Sequence, residues 1–165
     1  MESLTKKLTD IVSREVLQFE LVLQLMADQQ NYLVANDLEN LNRVVKEQEE
    51  AILKVRELEK SRLLIIDEIS DVTDDDSENL TLTQIAKKLA LPQAEKLQRL
   101  QKTLLDLHEK ITRARSRNEF LIKKSMEHIE GTVRLLASSG VDVPTYREST
   151  NVAKPAQSIM VNRTV

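Results

Sequence analysis

One ladder of side chains limits what this chain can fold into: Leu97, Leu100, Leu104, Leu107, Ile111, Ala114, Asn118 and Leu121. Its steps alternate three and four residues, which holds every member on one stripe of an α-helix. Two similar ladders come earlier: Val12, Val16, Phe19, Leu23, Met26, Gln30, Leu33, and then Leu41, Val45, Gln48, Ile52, Val55. Such stripes are stable when buried against one another. The expected fold class is therefore all-α: an elongated antiparallel bundle of three long helices plus one short helix, with a flexible C-terminal tail. The 165 residues hold only 2 Gly and 3 Pro, too few turn formers for a sandwich or a barrel. A chain made mostly of helix stripes has little room for a chemical site, which favours binding over catalysis.

Several function classes drop out on composition. With no Cys there is neither a disulfide framework nor a thiolate metal site, which fits a reducing cytosol. A net charge of -3 gives no global pull toward nucleic acid or anionic lipid. Met1 to Asp10 lacks the apolar core of a signal peptide. The longest aliphatic run, Leu63 to Ile66, falls far short of the roughly 20 residues that span a bilayer. A cytoplasmic chain without membrane insertion is expected, and the sequons at Asn79 and Asn162 read as chance.

Local signals divide the chain further. Ser3 can cap a first helix reaching about Ala35. Asn36 and Asp37 then offer a helix stop and a new cap in succession, with a bent continuous helix as the alternative. A second helix is expected from Leu38 to Ile69, with Glu47, Glu49, Glu50, Lys54, Arg56, Glu57, Glu59, Lys60 and Arg62 forming its solvated exterior. Asp67 to Glu78 carries seven acidic residues and no basic one, so repulsion should break the helix there. Its spacing is not that of a calcium loop, and a solvated linker is expected. Thr81 can cap a short helix, Leu82 to Ala90, ended by Leu91-Pro92; Pro92 suits the first turn of a last helix running to about Ala137. The domain reading is a helical bundle over residues 1–140 and a flexible tail over 141–165.

Sites that chemistry would need are missing from the sequence. His108-Glu109 begins a zinc-protease pattern, but Thr112 stands where the second His would be. Leu105 and Ser125, three residues before His108 and His128, replace the Glu of a di-iron bundle. No catalytic residue, metal or cofactor is assigned. The segment Leu82 to Pro92 resembles the first helix and turn of a helix-turn-helix, and Lys110 to Lys124 holds six basic residues against one Glu. A recognition helix is short, however, whereas the helix that follows here exceeds 40 residues. The plainer reading of the basic cluster is a solvated face pairing with the acidic second helix.

Three stretches carry a family resemblance: Glu15 to Phe19, Leu33 to Leu41, and Lys46 to Arg62 with its Leu-Glu-Lys-Ser-Arg run. Together with the short helix at Leu82 and the long last helix, they resemble the FlgN-type flagellar export chaperones over about residues 10–140. The resemblance implies a cytosolic chaperone of flagellar type III secretion. It would bind the C-terminal segments of hook-associated (hook–filament junction) proteins, keep them unassembled and deliver them to the export apparatus. It also implies cargo binding by the end of the last helix and the following tail, often with a Tyr close to a Gly. Tyr146 stands in a similar place, with no Gly after it.

Beyond Leu121 the heptad register lands on Ser125, His128 and Thr132, and the apolar set moves one position to Met126, Ile129, Val133 and Leu136. Either this set faces solvent and a partner, or it curls around the bundle as core. On the first reading it floors a groove for an amphipathic cargo helix, with Val141, Val143 and Tyr146 of the tail as a lid. Polar Gln30, Gln48 and Asn118 interrupt the ladders, either fixing helix register or marking where the bundle opens. A monomer or weak dimer that binds no nucleic acid is expected. The competing readings are a structural or adaptor coiled coil and a DNA-binding regulator.

Overall fold

A computed structural model describes residues 2–73 and 80–138 as four helices: α1 (Glu2–Ala35), α2 (Leu38–Thr73), α3 (Leu82–Lys87) and α4 (Leu91–Ser138). At about 1.5 Å per residue, α1 is about 50 Å long and α4 about 70 Å. The all-α architecture of three long helices and one short one is as expected, and no strand occurs among the described residues. The tail expected over residues 141–165 lies outside them.

The first connection is a tight turn and not a bend. Asn36 takes φ 55°, the left-handed conformation that asparagine tolerates better than most residues. The Asp37 N–H donates to the Tyr32 carbonyl at 3.0 Å and the Asn36 N–H to that of Leu33 at 3.3 Å, which closes α1 with a Schellman motif. Asp37 also caps α2, its Oδ1 accepting from the Asn40 N–H at 3.1 Å and its Oδ2 from the Asn40 side chain at 2.6 Å. These hydrogen bonds hold its carboxyl below the ordinary aspartate value.

Three boundaries differ from expectation. Glu2 is already helical, so Ser3 lies in the first turn of α1 instead of capping it. α2 runs past Ile69 to Thr73, because its buried face continues through Ile65, Ile66, Ile69 and Ser70 while Asp67, Glu68 and Asp71 point to water. Burial thus outweighs the charge repulsion expected to stop the helix; positions 74–79 lie outside the described residues. α3 ends at Lys87, not Ala90, since the Ala90 carbonyl already accepts from Gln93 and Ala94 in the first turn of α4. α4 is described as far as Ser138, in line with an expected end near Ala137. Thr81 does cap α3, in a reciprocal capping box with Gln84.

α1 is the central element. α2 and α4 each pack along it and α3 packs on α4, but no Cα of α2 lies within 8 Å of α4 among the described residues. α4 runs parallel to α1, since Leu97 and Leu104 join Leu8 and Val12 at one end while Asn118 meets Met26 and Gln29 further along. α2 runs antiparallel to both. One buried cluster joins Leu8, Val12, Ile66, Ile69, Leu82, Ile85 and Leu97, and a second joins Val22, Leu25, Val44, Ala51, Val55 and Ile111.

This layout corrects the reading of α2. Val44, Ala51, Val55 and Ile66 face α1, while Leu41, Val45, Gln48 and Ile52 of the expected ladder are only half-buried. Arg62, expected on the solvated exterior, is only 3 % exposed. Its Nε donates to Glu15 Oε1 at 3.0 Å across the α1–α2 seam, and Glu59 stands 3.9 Å from its Nη2. Arg62 sits at helical spacing from Val55, Ile65, Ile66 and Ile69, so the backbone carries it into the interior, where Glu15 compensates its charge. Burial pushes the Glu15 carboxyl above its ordinary value, against the pull of the Arg62 guanidinium.

Candidate functional site: the projecting end of α4 and the seam beside it

Asn118 fixes the level of α4 against α1, its Nδ2 donating to the Met26 carbonyl and to Gln29 Oε1, both at 2.8 Å. Counting onward from that level, α1 ends at Ala35 opposite about Lys124 of α4. The rest of α4, Ser125 to Ser138, projects about 21 Å beyond the end of α1. Every residue from Ile122 to Ser138 is exposed.

The four helix residues singled out from sequence all lie on this projection. Met126, Ile129, Val133 and Leu136 are 56, 61, 48 and 40 % exposed, and neither buried cluster includes them. Val141, Val143 and Tyr146, read as the lid, lie outside the described residues. The one-position move after Leu121 is a move against a strict heptad and not against the face of the helix. At about 100° per residue, Ile111, Asn118, Ile122, Met126, Ile129, Val133 and Leu136 fall within one sector of about 80°. A strict heptad drifts about 20° per repeat, so it is Ser125, His128 and Thr132 that turn away. The apolar set continues the face that α4 buries in the bundle, and it is exposed because α4 outruns α1. No helix of the described residues stands beside it as a groove wall; the stripe is an open face.

Toward the bundle the same face enters a cleft of about 330 Å³ between α2 and α4, floored by Phe19, Val22 and Met26 of α1. Ile52 and Val55 line one wall, Ile111 and Ile122 the other, and Arg56, His108 and Arg115 also line it. At its base lies a polar knot that ties the three long helices. Gln29 Oε1 accepts from both Asn118 and Gln48, and the Gln48 Nε2 also donates to the Leu25 carbonyl at 3.0 Å. Gln48 and Asn118 were read as interrupting their ladders, whereas Gln29, which joins them, was missed. Its place three residues after Met26 was the available signal. Asn118 Oδ1 is buried and has no hydrogen-bond partner.

Four of the six residues of the basic cluster pair within their own helix, and none of these four pairs with α2. Lys110 meets Asp106, Arg113 meets Glu109, Arg115 meets Glu119 and Lys124 meets Glu127, each three or four residues apart. The reason is geometric, since α2 and α4 are held apart on α1. His108 is half-buried at the cleft and His128 is exposed. Among the described residues no three His, Asp or Glu side chains cluster as metal ligands, and no helix is long and apolar enough to cross a membrane.

Neither a curated protein nor a solved structure matches the chain. Residues 1–153 match the family model described as FlgN protein. That span takes in all four helices, including the projecting end of α4, and the chain therefore belongs to the FlgN family, the flagellar export chaperones.

Proposed function

We propose that this chaperone acts in the cytoplasm on hook-associated proteins. It holds the C-terminal helical segment of each against Met126, Ile129, Val133 and Leu136 and delivers it to the export apparatus. The observation that carries the reading is the exposed apolar stripe on a helix that outruns its own bundle, in a member of an export chaperone family. Apolar side chains repeating every three or four residues along one face suit an amphipathic helix as partner. Covering four such side chains contributes roughly 6–10 kcal/mol gross at about 1.5–3 kcal/mol each. Association costs offset much of that, which suits a carrier that must release its cargo.

Val133→Asp tests the reading. Because Val133 is exposed, the substitution should leave the melting temperature nearly unchanged while weakening cargo binding by about 2–4 kcal/mol. Truncation after Gly140 should also weaken binding without loss of helix signal in circular dichroism. A folded Val133→Asp chain that binds cargo normally removes this stripe from the cargo site. A second reading, a coiled-coil adaptor, draws on the same four-three spacing from Ile122 to Leu136. It requires tight self-association through the stripe, which light scattering on both forms would detect.

A further inference from the structure

We infer that the cleft between α2 and α4 is the inner half of the docking tract, so that one partner helix lies along α4 from its tip down to Ile111 and seats an apolar side chain between Ile52 and Ile122, with a carboxylate beside Arg56. The inference rests on the cargo reading above and extends it to a second surface that adjoins the first. Three observations carry it.

The first is continuity. Ile122, exposed at the mouth of the cleft, shares a sector with Met126, Ile129 and Val133, so the exposed stripe leads up to the cleft, whose α4 wall continues inward to Ile111. The tract from Ile111 to Leu136 spans about 38 Å, the length of a helix of about 25 residues. The second is the open seam. α2 and α4 both pack on α1 with no Cα of one within 8 Å of the other among the described residues, so the seam between them leaves room for a further long helix over α1. The third is charge. Exposed Arg56 makes no ion pair among the described residues, while Arg115 is already held by Glu119. The partner helix thus presents large apolar residues on one face and an acidic residue toward Arg56.

The chain has no cysteine, so single-cysteine variants report on each half separately. Thr112→Cys, at an exposed position of the cleft, and Met126→Cys, on the tip, are each labelled with a polarity-sensitive maleimide dye. They are then titrated with a synthetic peptide of the C-terminal helical segment of a hook-associated protein. Both labels are expected to shift with the same Kd. In the unlabelled chain, Arg56→Glu should raise Kd about tenfold at low salt, and less at high salt, with its melting temperature unchanged. A shift at the tip alone, with Arg56→Glu binding normally, overturns the cleft proposal and leaves the tip reading standing. Absence of binding at either label sinks both. A cleft label that responds to rising concentration of the chain itself, without peptide, makes a second copy the occupant and likewise overturns the proposal.

Discussion

Glu15 and Arg62 meet inside the α1–α2 seam at 3.0 Å, and each keeps one buried atom, Oε2 and Nη1, without a partner. A buried ion pair satisfied this incompletely gains little over an apolar pair, yet removing one member strands the other's charge. Arg62→Met alone should therefore cost about 3–5 kcal/mol in urea denaturation, and Glu15→Met with Arg62→Met should recover most of that loss. The pair also carries a pH signature. A carboxyl held above 4.5 binds more protons folded than unfolded, so its contribution is complete below about pH 4.5 and falls as pH rises through the folded value. Relative to Glu15→Gln, the unsubstituted chain should lose stability between pH 4.5 and neutral; a gain would mean that attraction to Arg62 outweighs burial. At the turn, Asn36 is held at φ 55° by the Schellman bonds. Asn36→Gly should keep the melting temperature or raise it, and Asn36→Val should cost about 1–2 kcal/mol.

α4 is the element on which stability and function divide. One apolar face runs its length; α1 covers the face as far as Asn118, and the remainder stays exposed. The knot of Gln29, Gln48 and Asn118 lies near that change and sets where it falls along the helix. Gln29 is the shared acceptor, so Gln29→Met leaves two amide donors with weaker partners and should cost about 1–3 kcal/mol. Asn118→Leu removes a donor together with its orphaned oxygen and should stay within about 1 kcal/mol of the unsubstituted chain. Comparing the two by denaturant midpoint separates a register-fixing knot from incidental polar contacts. Extension of α2 through Asp67, Glu68 and Asp71 makes a related point, since a buried face at helical spacing carried the helix through an acidic run.

The described residues form a rod with one apolar end exposed. The basic residues of α4 that form ion pairs do so within α4, and the net charge is -3. Duplex DNA should therefore show no measurable binding at physiological ionic strength. Submicromolar, salt-sensitive binding lost on Lys87→Glu would contradict this. An exposed stripe of four or five side chains is small beside a stable dimer interface, so light scattering should find a monomer or a weak, concentration-dependent dimer. A tight tetramer at all concentrations would favour a scaffold.

Periodicity was enough to read the helices, the Asn36-Asp37 stop and start, the Thr81 cap and the apolar set at the end of α4, because each depends on residues within one or two turns. Those are short-range constraints, and neighbours in sequence satisfy them. Which face of α2 is buried, the pairing of Glu15 with Arg62, and the exposure of Met126, Ile129 and Val133 depend instead on where other helices lie. Arg62 read as solvated because charge usually seeks water, and only the α1 side chain opposite it makes burial possible. The α4 stripe read as turned away because a heptad was extrapolated. On a helix of about 3.6 residues per turn the face never turned, and its exposure follows from α1 stopping at Ala35 while α4 continues to Ser138.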